Sequence, residues 1–148
     1  MHDDPQPVLP AMTVVDEPDS THRGLILSGL ADFNVDKAGP GHHRSICILV
    51  RDEESEAVGG LWGVTAYDWL LVELLFVPKS LRGRGTGAAL IQRAEEEARE
   101  RGCIGAWLDT FSFQARGFYE KLGYQLVGTI PDHPIGGARH FMMKRWSS

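Results

Sequence analysis

Val77-Pro78-Lys79-Ser80-Leu81-Arg82-Gly83-Arg84-Gly85-Thr86-Gly87-Ala88 joins an apolar run to an amphipathic one. Upstream, Leu70 to Val77 is almost wholly apolar and reads as a strand. Downstream, Thr86 to Gly102 reads as a helix, with Leu90, Ile91, Ala94 and Ala98 on one face and Gly102 as its stop. Glu95–Arg99 and Glu97–Arg101 are favourable i,i+4 pairs on that helix. Glycines at 83, 85 and 87 let backbone N–H groups approach a ligand without side-chain obstruction. The helix that follows presents unpaired donors and a positive dipole end. Arg82 and Arg84 add formal charge. A strand, a glycine-rich turn and a helix in that order make an anion site, for which phosphate or pyrophosphate is the natural ligand. The plainer alternative is a solvated turn with two surface arginines.

Two phosphate-binding classes fit poorly. A nucleotide-hydrolase loop ends in Gly-Lys-Ser/Thr, and here Gly85-Thr86-Gly87 stands instead. A dinucleotide fingerprint is formally matched by Gly83-x-Gly85-x-x-Ala88, with Asp109 ending the next strand. Five residues, Pro78 to Arg82, separate the strand from the first glycine, where that turn should be tight. Too little chain follows for the remaining parallel strands.

Working outward, Ser45–Arg51, Ala57–Tyr67 and Leu70–Val77 read as a three-stranded meander, with Gly59-Gly60 a kink. Ile104–Thr110, Tyr124–Thr129 and Arg139–Trp146 read as later strands. Ser112 is placed to cap a short helix from Phe113 to Leu122, ended by Gly123. Near the start, Thr13–Val15 reads as a first strand, and Asp19 or Ser20 as the cap of a helix carrying Leu25, Ile26, Leu27 and Leu30. Residues 1–12 hold three prolines and two acids and read as a tail, leaving 13–148 as one domain. The expected fold class is therefore α/β (α+β): about seven strands in one mixed, mostly antiparallel sheet flanked by helices.

The 148 residues carry 15 Lys+Arg against 20 Asp+Glu, a net charge of −5, which argues against a nucleic-acid binder. No apolar stretch is long enough to span a membrane, since Trp69–Val77 is short and contains Glu73. Met1–Pro7 lacks the basic and apolar regions of a secretory signal. Cys47 and Cys103 belong to no paired motif and sit beside isoleucines. They are expected to be buried free thiols, in keeping with a cytoplasmic location. His42, His43, His133 and His140 form no ligand cluster, so no metal is expected. The sequence leaves a homodimer open.

The chain resembles the GNAT superfamily of acetyl-CoA-dependent N-acetyltransferases. Arg82-x-x-Gly85-x-Gly87 matches that family's pyrophosphate loop, and Leu75-Phe76-Val77-Pro78 its preceding strand. Ala115-x-x-Phe118-Tyr119-Glu120-Lys121-Leu122-Gly123-Tyr124 matches its second segment. The resemblance implies that the backbone of Leu75, Phe76 and Val77 takes the pantetheine arm and that Arg82, Gly83, Arg84, Gly85, Thr86 and Gly87 take the pyrophosphate. It also places Phe118 and Ser112 against the cofactor, Ser112 standing where the family often has Asn. Acetyl-CoA is then a cosubstrate, and the activity is acetyl transfer to a primary amine.

An ammonium cannot attack a thioester. With a lysine-like pKa near 10.4, about one amine in a thousand is neutral at pH 7, a deficit of roughly 4 kcal/mol. Glu73, an acid among leucines at a place where polyamine-type acetyltransferases have a glutamate, is the candidate base; a structural ion pair or a rim carboxylate is the alternative. Tyr119 is the acid that the resemblance implies for the departing thiolate, against a core-tyrosine alternative. Asp32, Phe33 and Asn34, read as following the first helix, and Trp69 are candidate acceptor-site residues, with Pro131–Arg139 a wall of the same site. An acidic chain with a short acceptor segment suits a small cationic amine. Protein lysine or N-terminal acetylation, and a non-catalytic CoA-binding sensor, are the rival readings.

Overall fold

The computed structural model describes residues 6–146. The contacts divide the chain at Gly39 into two units. In the first, helix α1 runs from Ser20 to Ala38. Asp19 caps it: the carboxylate accepts from the N–H groups of Thr21 and His22, and His22 Nδ1 accepts from the Asp19 N–H at 3.0 Å. No proline stands between Asp19 and Gly39 and the helix runs through Gly24 and Gly29, so Asp32, Phe33 and Asn34 lie inside α1 rather than after it. Thr13–Val15 has no regular structure. The expected seventh strand is therefore absent among the described residues, where the sheet has six.

The second unit is built on that sheet. Its strands are β1 (Arg44–Arg51), β2 (Ala57–Ala66), β3 (Trp69–Phe76), β4 (Gly105–Phe111), β5 (Gln125–Pro131) and β6 (Ala138–Arg145). Their order is β1-β2-β3-β4-β6-β5, and only β3 and β4 pair in parallel. A parallel neighbour needs a crossover, which helix α2 (Thr86–Glu100) supplies. A short helix α3 (Arg116–Lys121) joins β4 to β5.

The α2 residues Leu90, Ile91, Ala94 and Ala98 are buried, as the period of 3.6 requires. They meet Ile46, Leu61, Leu70, Val72, Leu108 and Met142 in one core. At its far end Arg101 donates to the carbonyls of Arg44 and Ser45 and to Thr65 Oγ1, tying α2 to β1 and β2. Cys103 is buried, and burial followed by the charge of Asp68 raises its pKa. Cys47 is exposed, contrary to the sequence expectation, because alternation on β1 turns it to the face opposite Ile46. No helix among the described residues is long and apolar enough to cross a membrane.

A buried polar network pins the second half of the unit. Glu95, only 4% exposed, accepts from Lys144 Nζ at 2.7 Å and from the Tyr124 hydroxyl at 3.0 Å. Lys144→Met is expected to cost about 3 kcal/mol by stranding a buried carboxylate. Urea denaturation measures this, and a change under about 0.5 kcal/mol would mean that water replaces the lysine. The Tyr124 phenol is held far above its usual pKa, first by burial and then by the Glu95 charge. The protonated form is thus the native one. Its contribution is present below about pH 10, where the unfolded phenol is also neutral, and is lost as pH rises further. Tyr124→Phe should flatten that alkaline loss of stability in melts between pH 9 and pH 11.

Candidate active site

The site originates in a break between β3 and β4. Along β2, Trp62 pairs with Leu74 but Gly63 pairs with Val72, so Glu73 is the extra residue of a bulge. Alternation slips there: Leu70 and Val72 point inward, and after the bulge Leu75 and Val77 do. Pairing between β3 and β4 ends at Val72–Leu108. Beyond it β3 stays with β2 as far as Phe76–Gly60, while β4 stays with β6 as far as Phe111–Arg139. A bulged strand twists more strongly than its neighbour, so the two diverge. A cleft of about 970 Å³ opens between them, lined among others by Glu73, Phe76, Gly85, Asp109, Phe113 and Tyr119. Beyond the parting, the β3 edge that faced β4 has no strand partner among the described residues.

The glycine turn closes one end of the cleft. Gly83 and Gly85 have φ of 79° and 76°, in the left-handed region that favours glycine, and a Cβ at either would meet only open space. Gly85 is the N-cap of α2. No described hydrogen bond is donated by the N–H of Gly83, Arg84 or Gly85, and the first N–H groups of α2 have no acceptor within the helix. These donors form a ready anion cradle. Arg82 lines the cleft and donates Nε to the Val77 carbonyl at 2.9 Å, which fixes the turn to the strand. Arg84 is exposed and outside the lining. Thr86 donates its hydroxyl to the Leu81 carbonyl. Gly87 has another reason to be glycine: its Cβ would stand 3.1 Å from the Phe118 ring.

Tyr119, from α3, lines the cleft at its inner end. Its ring is held edge-on by Phe118 at 5.0 Å and Tyr124 at 6.0 Å. No described hydrogen bond engages its hydroxyl. Burial, and then the charge of Asp109, raise its pKa, so it is a protonated donor at neutral pH.

The chain matches the model of the acetyltransferase (GNAT) family over residues 16–124. It is 37% identical to an acetyltransferase of Agrobacterium fabrum over 131 residues, 88% of this chain and 96% of that one. It is 48% identical to the blasticidin-S acetyltransferase of Streptomyces morookaense over 93 residues, 62% of this chain and 68% of the other. A crystal structure of an Agrobacterium tumefaciens protein described as an acetyltransferase superposes with a TM-score of 0.87 at 35% identity, covering 92% and 99% of the two chains. This chain belongs to the GNAT acetyltransferase family. It is an acetyl-CoA-dependent enzyme, and its six-stranded mixed sheet has the family's form.

In this GNAT acetyltransferase, Leu75, Phe76, Val77, Arg82, Gly83, Gly85, Thr86, Gly87, Phe118, Glu73 and Tyr119 all line one cleft. Glu73 is exposed at it rather than buried among leucines: it follows the inward Val72 in the alternation of β3, and the bulge slips that alternation only beyond it. Ser112 is not in the lining: its hydroxyl accepts from the Ala138 N–H at 3.0 Å, and α3 begins only at Arg116, with Ala115 as an N-cap that makes no side-chain bond. Gln114 secures the end of β4 instead, accepting from the Phe111 N–H and the Thr110 hydroxyl. Trp69 lies at the opposite end of β3, its ring against Gly105, and is outside the cleft. Asp32, Phe33 and Asn34 belong to the first unit.

Asp109 entered the sequence reading only as the ribose-binding acid of the rejected dinucleotide fingerprint, yet it lines the cleft. It follows Leu108 as Glu73 follows Val72, so the two carboxylates are the first residues past the parting of the strands. Asp109 is paired with Arg139 of β6, Oδ1 lying 2.7 Å from Nε and 2.6 Å from Nη2. The available signal was an acid closing a strand whose other residues are apolar or small.

Proposed function

We propose that the enzyme moves the acetyl group of acetyl-CoA to a primary amine of a small molecule by direct attack on the thioester. The observation that carries the reading is the parting of β3 and β4, which joins an anion cradle, two carboxylates and a tyrosine hydroxyl in one cleft. The turn from Arg82 to Gly87 receives the pyrophosphate on backbone N–H groups. The free β3 edge at Leu75–Val77 receives the pantetheine amides, and an N–H there stabilises the developing oxyanion by about 3 kcal/mol. Glu73 takes the ammonium proton, directly or through one water. Tyr119 gives its proton to the departing thiolate. The products are an N-acetyl amide and coenzyme A.

A small acceptor is favoured because an acidic chain, with a net charge of −5, suits a compact cation. The similarity to a blasticidin-S acetyltransferase points the same way. Thiol release from acetyl-CoA over a panel of blasticidin S, simple amines, polyamines and lysine peptides tests the reading. Turnover of small amines well above peptides is expected. Faster turnover of the peptides would assign the enzyme to protein acetylation, and CoA binding without any turnover would make it a sensor.

Tyr119→Phe keeps the ring contacts and loses no described hydrogen bond, so melting temperature should hardly change. The kcat is expected to fall about 10- to 100-fold, with acetyl-CoA affinity unchanged. The fall stays modest because a thiolate, with a thiol pKa near 8.5, leaves tolerably without help. Steady-state kinetics beside a binding titration checks both halves. An unchanged kcat would assign the final proton to water.

A further inference from the structure

We infer that the amine acceptor carries a planar aromatic or heteroaromatic ring, which stacks on Phe113; the inference rests on the amine-acetylation reading above. Phe113 lines the cleft, yet the residue is 70% exposed. Its orientation is nevertheless set. The ring lies 7° from parallel to Phe111, with centroids 5.1 Å apart. Phe111 is itself braced: His133 meets it edge-on at 5.3 Å, and the Arg139 guanidinium stands 5.2 Å from its centroid. Arg139 is anchored by Asp109 and also lies 5.7 Å from the Phe141 ring. A stack braced on one side holds its last ring, which lines the cleft, as a platform whose orientation need not be ordered on binding.

The same cleft holds the two carboxylates at the parting of the strands. Arg139 neutralises Asp109 and leaves Glu73 for a cation. A ligand that continues the stack with a ring and carries its ammonium on a short arm uses both features. An aliphatic amine uses only the carboxylate. Offset stacking adds to area burial by an amount equivalent to about three- to tenfold in affinity. Phe113 stands two residues beyond the end of β4 and four after Asp109, and both line the cleft.

Calorimetric titration of the CoA-loaded protein with 2-phenylethylamine and 2-cyclohexylethylamine tests this. The two share the arm and the ammonium, and differ in whether the ring is flat. The phenyl compound is expected to bind about three- to tenfold more tightly. Phe113→Leu, a change at an exposed position, should bring the ratio close to one and leave coenzyme A affinity unchanged. Equal affinities in the wild type, no measurable binding of either amine, or a ratio that survives Phe113→Leu would overturn the inference. Loss of coenzyme A affinity in the variant would overturn it too, by giving the ring to the cosubstrate. Acetyl transfer is scored separately: selective binding of the phenyl amine with no acetylated product leaves the platform standing and removes the amine-acetylation reading.

Discussion

Gly85→Asp is expected to weaken coenzyme A binding by at least about 100-fold while the protein stays folded. Gly85 has φ of 76° and open space where a Cβ would be. Aspartate tolerates that backbone region better than most residues. What the substitution adds is a negative charge in the middle of the anion cradle. Two like charges about 4 Å apart repel by about 4 kcal/mol at an effective dielectric constant of 20. That alone accounts for a loss of this size. Gly85→Asn is the control, since it has the same shape and the same backbone demand without the charge. Its loss should stay below about tenfold, and raised salt should weaken binding to the wild type by screening Arg82. Calorimetry on the three proteins reads the difference. Equal losses in Asp and Asn would mean that the turn is needed for its shape and does not carry the phosphates.

The second large effect falls on Glu73. Glu73→Gln should lower kcat/KM for an alkylamine by about 100-fold at pH 7. The side chain is exposed and makes no described hydrogen bond, so stability should move by less than about 0.5 kcal/mol. The deficit should narrow as pH rises towards the amine pKa near 10.4, because the nucleophile then loses its proton to bulk water. A pH–rate profile of both proteins checks the size and the convergence. Wild-type rates at pH 7 would remove Glu73 as the base and turn attention to Asp109, its counterpart on β4. A deficit constant with pH would indicate that the carboxylate binds the ammonium and does not deprotonate it.

The helix after the glycine turn, the meander before it and the order of elements were legible because each depends on local pattern. Apolar spacing in α2, the Asp19 cap and the glycines at 83, 85 and 87 act within a few residues of themselves. The bulge was not legible. Trp69-Leu70-Leu71-Val72-Glu73-Leu74-Leu75-Phe76 is apolar on both sides of the slip, so its phase shows only through pairing with β2. Hence the sequence left Glu73 open between an acid buried among leucines and a rim carboxylate, and it lies exposed at the cleft. The insertion of β6 between β4 and β5 is a non-local choice as well, and it is what brings Arg139 to Asp109. Ser112 looked like a cap by its position before a helix. The register of β4 with β6 gave its hydroxyl the Ala138 N–H instead. Thr13–Val15 has strand composition and no strand partner among the described residues, which is how seven expected strands became six.

Transfer of the acetyl group from the thioester to an amine within this cleft is visible in one turnover. A single-turnover experiment tests it most directly. Protein in excess over acetyl-CoA is mixed with an amine taken from the panel, and both products are followed by mass. One acetylated amine is expected for each coenzyme A released, at a rate that falls in Glu73→Gln. Coenzyme A released together with free acetate, or acetyl-CoA recovered intact from the bound state with every amine, would contradict it.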